Sequence, residues 1–131
     1  MAVFIDASVF CAFANQNDVH HQKAVSILER LANDEQITTD YVFDELVSVI
    51  MRRAGKDKSL EFGNALLNSE VFIAKIDSST FQNAWGFFKD TEKFSFTDCT
   101  ILAFMKSLKI KKLATFDKEF KNVKWIDVVD A

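Results

Sequence analysis

The stretch Ala2-Val3-Phe4-Ile5-Asp6-Ala7-Ser8 opens with four apolar residues that run straight into a carboxylate. A short apolar run that gives way to helical spacing reads as a buried strand turning into a helix. The same alternation recurs along the chain. Strands are expected at Ala2–Asp6, Gln36–Thr39, Val71–Ile76, Lys112–Thr115 and Lys124–Val128. Helices are expected near Ala7–Ala14, Val19–Asn33, Tyr41–Ala54, Lys56–Asn68, Ser79–Lys89 and Ser95–Leu108, with a short turn near Lys118–Phe120. Ala24, Ile27, Leu28 and Leu31 illustrate the amphipathic period of i, i+3, i+4, i+7. Strands alternating with helices imply β-α-β units around a parallel sheet. Such strands are buried on both sides, so helices must cover both faces, and a ligand site then lies outside the carboxyl ends of the strands.

Composition narrows what that site can be. The 131 residues are 49% hydrophobic and 27% charged, which suits a single domain spanning 1–131. Gly55, Gly63 and Gly86 stand apart and there is no Pro, so no glycine-rich phosphate loop or dinucleotide turn exists. Histidine occurs only as the neighbours His20 and His21, and Cys11 and Cys99 are far apart, so no zinc-ligand spacing is present. Two cysteines, no secretory leader and no long apolar stretch lead us to expect a soluble, cytoplasmic protein with no membrane partner. Net charge is −3, divided as −6 over residues 1–51 and +3 over 52–131. Any catalytic chemistry must therefore rest on carboxylates.

Four carboxylates occupy informative positions. Asp6 and Asp117 each follow a strand, where Asp can equally serve as a helix N-cap. Glu45 lies within the apolar stripe Tyr41, Val42, Leu46, Val49 and Ile50, so it faces inward, whereas Asp44 falls on the polar side. An inward carboxylate needs a cation, a partner or a proton, and a salt bridge to Arg52 or Arg53 is one alternative. Asp98 shares a face with Ile101, Leu102 and Met105, and Ser95 three residues earlier also permits a capping box. One fold places all four at one edge of one sheet. Such a cluster repels itself unless a hard divalent ion compensates, which points to Mg²⁺ or Mn²⁺ and to phosphoryl chemistry.

At these residues the sequence resembles the PIN-domain nucleases and, in size, the single-domain VapC-like toxins. The motifs are Asp6-Ala7-Ser8, then Thr39-Asp40-Tyr41-Val42-Phe43-Asp44-Glu45-Leu46, then Phe94-Ser95-Phe96-Thr97-Asp98, and last Ala114-Thr115-Phe116-Asp117. The resemblance implies a three-layer α/β/α sandwich whose central parallel five-stranded sheet has the order 3-2-1-4-5. It implies metal-dependent RNA hydrolysis leaving 5′-phosphate and 3′-hydroxyl ends. Asp6, Glu45 and Asp98 would hold the essential metal and Asp117 would assist or hold a second ion, while Ser8 and Thr115 would orient water or phosphate. It further implies a homodimer and silencing by an antitoxin tail, or a non-toxin nuclease of RNA processing.

The surface is compatible with RNA. Lys106, Lys109, Lys111, Lys112, Lys118, Lys121 and Lys124 outnumber Asp117 and Glu119, and Arg52, Arg53, Lys56 and Lys58 form a second basic run. Such runs are either phosphate contacts or plain solvated faces. The fourteen Phe read mostly as core, Cys99 as a small packing residue, and His20 and His21 as surface residues of the first long helix. Two rival chemistries share this sheet type. A phospho-accepting receiver needs paired acids after the first strand and an acceptor after the third, for which only Asp77 is available, and a dehalogenase-type Asp-x-Asp is broken by Ser8. A binding module that holds RNA or protein without cutting is the remaining alternative.

Overall fold

The computed structural model describes residues 1–129. Five strands, β1 (Ala2–Ile5), β2 (Glu35–Thr39), β3 (Phe72–Ala74), β4 (Lys112–Ala114) and β5 (Asp127–Val129), form one sheet in the order β3-β2-β1-β4-β5. All four pairings are parallel, with Phe4 opposite Ile37 on one side and Leu113 on the other. Six helices connect them: α1 (Ala7–Ala14), α2 (His21–Arg30), α3 (Asp40–Ala54), α4 (Lys56–Leu67), α5 (Ser78–Lys89) and α6 (Phe96–Ser107), with a 3-10 turn at Lys118–Asn122. Right-handed crossovers put α1–α4 on one face, where the chain steps towards β3, and α5–α6 on the other, where it steps back to β4. Helix contacts agree, since α3 packs on α4, α1 on α2 and α3, and α5 on α6. The expected three-layer sandwich and strand order are therefore the ones observed.

Burial follows from this layering. Val3, Phe4 and Ile5 of the central strand and Leu113 of its neighbour are wholly buried, because helices cover the sheet on both sides. Helix α6 is buried continuously from Cys99 to Met105, and Cys99 packs with Ala84 and Ala103 as a small filler. Gly55, at φ 95°, ends α3 and starts α4, a backbone conformation that a side chain would strain. Among the described residues no helix is long and apolar enough to cross a membrane.

Several boundaries differ from the sequence reading. Strand β5 begins at Asp127, not Lys124, because Val123 and Ile126 donate their amides to Phe120 and Val123 carbonyls in a turn. Half-buried Trp125 and Ile126 pack from that turn, so apolar content there mimicked a strand. Strand β3 stops at Ala74, and the Ile76 amide donates to Asp40 Oδ1 at 3.1 Å, tying the start of α3 to the loop after β3. Helix α2 begins at His21 rather than Val19, since Asp18 Oδ1 accepts the His20 amide at 2.8 Å and holds a turn.

Candidate functional site

The chain leaves β1 towards β2 on one side of the sheet, and arrives at β4 on the other, so the strand order reverses between β1 and β4. A crevice opens outside their carboxyl ends. Asp6 stands there as the first residue after β1. Its Oδ1 accepts the Ala7 amide at 2.8 Å as the N-cap of α1, and its Oδ2 accepts the Thr115 and Ser8 hydroxyls at 2.8 and 2.9 Å. The helix cap and the link to the β4 loop are thus borne by different oxygens of one carboxylate. Thr115 follows β4 and also accepts the Asp117 amide at 3.0 Å, while Ser8 Oγ accepts the Phe116 amide at 3.1 Å. These bonds staple the β1–α1 and β4 loops together. Asp117 in turn caps the 3-10 turn, its Oδ1 accepting the Glu119 amide at 3.0 Å.

The other two acids arrive on helices. Glu45, on the second turn of α3, is half-buried, and Asp44 beside it is exposed, as the apolar stripe predicts. No ion pair joins Glu45 to Arg52 or Arg53 among the described residues. Asp98 sits in the first turn of α6 and forms a reciprocal capping box with Ser95, each bond 3.1 Å. Capping holds Asp98 at the helix start, and the helix start lies at the strand ends.

Electrostatics show that the four groups share one space. Burial drives the Asp6 pKa up against three hydrogen bonds, and Asp117 adds to the rise. Burial likewise raises Glu45, with Asp6 and Asp98 pushing the same way, and lifts Asp98 to about 6, with Asp6 and Asp117 contributing. All four line one open cleft of about 400 Å³, together with Ser8, Cys11, Asp18, His20, Arg53 and Phe116. Among the described residues no three His, Cys, Asp or Glu side chains are already drawn together as a metal cage.

The family model for the PIN domain matches residues 3–126. The chain belongs to the PIN-domain family. It is similar to the 23S rRNA-specific endonuclease VapC20 of Mycobacterium tuberculosis, 24% identical over 96% of this chain and 97% of that protein. Among solved structures, Mycobacterium tuberculosis VapC20, a sarcin–ricin loop cleaving toxin, superposes with a TM-score of 0.88 at 22% identity, covering 98% of this chain and 99% of that one. VapBC2 from Rickettsia felis, bound to a DNA fragment from its promoter, superposes with a TM-score of 0.76 at 15% identity, covering 98% of each chain.

Some residues of this PIN-domain cleft were not singled out as site residues from sequence. Arg53 follows Glu45 and Val49 at i+8 and i+4, so one face of α3 lays all three along the cleft. Its helical spacing from Glu45 was the available signal. His20 is exposed but lies outside α2, its ring stacked on Phe116 at 4.7 Å and 20° in the cleft wall. No sequence period announces that contact. Cys11 also lines the cleft, and burial pushes its thiol up to about 11. The basic run at 106–124 is divided by the fold. Lys106 and Lys112 stand near the sheet edge opposite the site, where Lys112 pairs with Asp34 at 3.7 Å, whereas Lys118 and Lys121 follow Asp117 directly. Asp77, the acceptor a receiver domain would need, is exposed and caps α5 after edge strand β3, outside the cleft.

Proposed function

We propose that this PIN domain is a divalent-metal-dependent endoribonuclease acting as the toxin of a toxin–antitoxin pair. The observation that carries the reading is the convergence of Asp6, Glu45, Asp98 and Asp117, from four separate elements, on one cleft, where burial first and neighbouring carboxylates second raise the proton affinity of Asp6, Glu45 and Asp98. Hard oxygen donors suit Mg²⁺ or Mn²⁺. Asp6, Glu45, Asp98 and Asp117 would hold the ion. When bound, it would lower the pKa of an attacking water and offset charge on the phosphodiester oxygens.

The chain's own groups do the positioning. Thr115 and Ser8 hold the Asp6 carboxylate in one orientation, and no buried side-chain nitrogen or oxygen among the described residues is left without a hydrogen bond. Arg53 and the lysines after Asp117 supply positive charge for the phosphate backbone. The rRNA-specific activity named for the VapC20 relative supports RNA as substrate, and the VapBC structure supports an antitoxin as partner. Hydrolysis would leave 5′-phosphate and 3′-hydroxyl ends. A homodimer belongs to the same reading, with Phe81 and Trp85, 39% and 48% exposed on α5, as apolar surface for a second copy, and sedimentation tests it. The deciding experiment incubates the purified chain with ribosomal and single-stranded RNA in Mg²⁺ or Mn²⁺. Cleavage should stop with EDTA and be lost in Asp98→Asn, and undiminished cutting by that variant would sink the proposal.

A further inference from the structure

We infer that the stacked His20–Phe116 pair is a positioning surface for an unpaired nucleobase beside the acidic cleft, a role that rests on the ribonuclease reading above. The two rings are 4.7 Å apart and inclined by only 20°, and both line the cleft that holds the four carboxylates. The backbone beneath each ring is anchored. The His20 amide is held by Asp18 Oδ1 at 2.8 Å, and the Phe116 amide donates to Ser8 Oγ at 3.1 Å, which itself donates to Asp6 Oδ2 at 2.9 Å. The backbone of Phe116 is therefore tied through a single hydroxyl to the central carboxylate. Phe116 is half-buried and stacks against one face of the imidazole, and His20 is exposed.

The cleft's charge explains why such a surface is needed. Asp6, Asp18, Glu45, Asp98 and Asp117 line it against Arg53, so a divalent ion held there would offset only part of the negative charge and Coulomb attraction alone holds a polyanion weakly. Stacking is indifferent to that charge, since every base has a π-face. A base inside a duplex already has both faces covered, so the ligand class is a single-stranded or looped nucleotide flanking the scissile phosphate. His20 acts here as a positioning residue, with its ring as the platform.

The test measures binding of a mixed-sequence, fluorescein-labelled single-stranded RNA by anisotropy, in an Asp98→Asn background that does not cut. Adding His20→Ala should raise Kd roughly tenfold, while His20→Phe, which keeps a flat ring, should stay within about twofold of the parent. In the cutting enzyme, His20→Ala should raise KM and leave kcat nearly unchanged. A single abasic position scanned along the RNA should weaken the parent at one site and add nothing in His20→Ala. Equal Kd for His20→Ala and parent, with the parent still cleaving RNA, overturns this inference alone. Loss in His20→Phe as large as in His20→Ala overturns it too, because the nitrogen rather than the ring face would be acting. Absence of RNA binding and cleavage by the parent overturns both this inference and the ribonuclease reading.

Discussion

Asp6 and Asp77 occupy equivalent local positions and have opposite fates. Each follows a strand, each has extended backbone, and each caps the next helix, Asp6 through the Ala7 amide and Asp77 through the Thr80 amide, both at 2.8 Å. Asp77 follows edge strand β3 and is exposed, and its bonds with Thr80 hold its carboxyl below the usual range. Asp6 follows central strand β1, is 6% exposed, and is pushed above the usual range by burial. The same cap is an exposed detail at the sheet's edge and lines the acidic cleft at its switch point. Position in the sheet, not local motif, separates them.

The comparison breaks most readily through activity. Asp6→Asn, Glu45→Gln and Asp98→Asn should each lower RNA cleavage by roughly a hundredfold or more, since loss of even outer-shell support for a metal ligand costs ~10–100-fold. Asp77→Asn should leave the rate unchanged. Melting temperatures of Glu45→Gln and Asp98→Asn in EDTA should equal or exceed the parent's, because each removes like-charge repulsion, whereas Asp6→Asn turns an amide towards donors that need an acceptor and should melt lower. An equal loss of activity in Asp77→Asn would erase the distinction.

Thr115→Val sharpens it next. The hydroxyl donates to Asp6 and accepts from the Asp117 amide, so its removal leaves a buried carboxylate short of a donor and an amide short of an acceptor. Chemical denaturation should show a loss of about 1–3 kcal/mol, with cleavage reduced as well. A fully stable, fully active variant would mean the loop staple is dispensable.

The two regions should also respond to pH with opposite sign. Asp98 has its pKa raised to about 6, so the folded state holds that proton more tightly. Its contribution to stability is full below its ordinary 3.8 and is lost as pH rises through about 6. Metal-free protein should therefore melt lower at pH 7.5 than at pH 5, and Asp98→Asn should flatten that slope. Asp77, with its pKa lowered, stabilises above 3.8 and ceases to as pH falls through its folded value. The smallest effect is expected from Asp77→Ala, a fall in Tm of about 2–5 °C with unaltered cleavage.

Much of the site was legible because its signals are local. Glu45 inside an apolar stripe and Asp98 in a Ser95 capping frame announce themselves within one helical turn, and strand-end Asp6 within five residues. His20 was not legible as a cleft residue, because its partner Phe116 is nearly a hundred positions away and nothing periodic links them. The Lys106–Lys124 run reads equally as phosphate contacts or a solvated face, for the complementary reason. Neighbours in sequence are separated by the length of β4, so a continuous charge run became two patches at opposite edges.

The sequence by itself determined the alternation of strands and helices, the caps that start α1, α3, α5 and α6, and which carboxylates turn away from solvent, since all of these follow from spacing over a few residues. Only the tertiary structure decided that β1 and β4 would be neighbours at the centre of the sheet. Strand order is a choice among long-range pairings that local spacing does not encode. That choice buries Asp6, brings Thr115 and Asp117 beside it, and lays Glu45, Asp98, Arg53 and His20 around a single cleft.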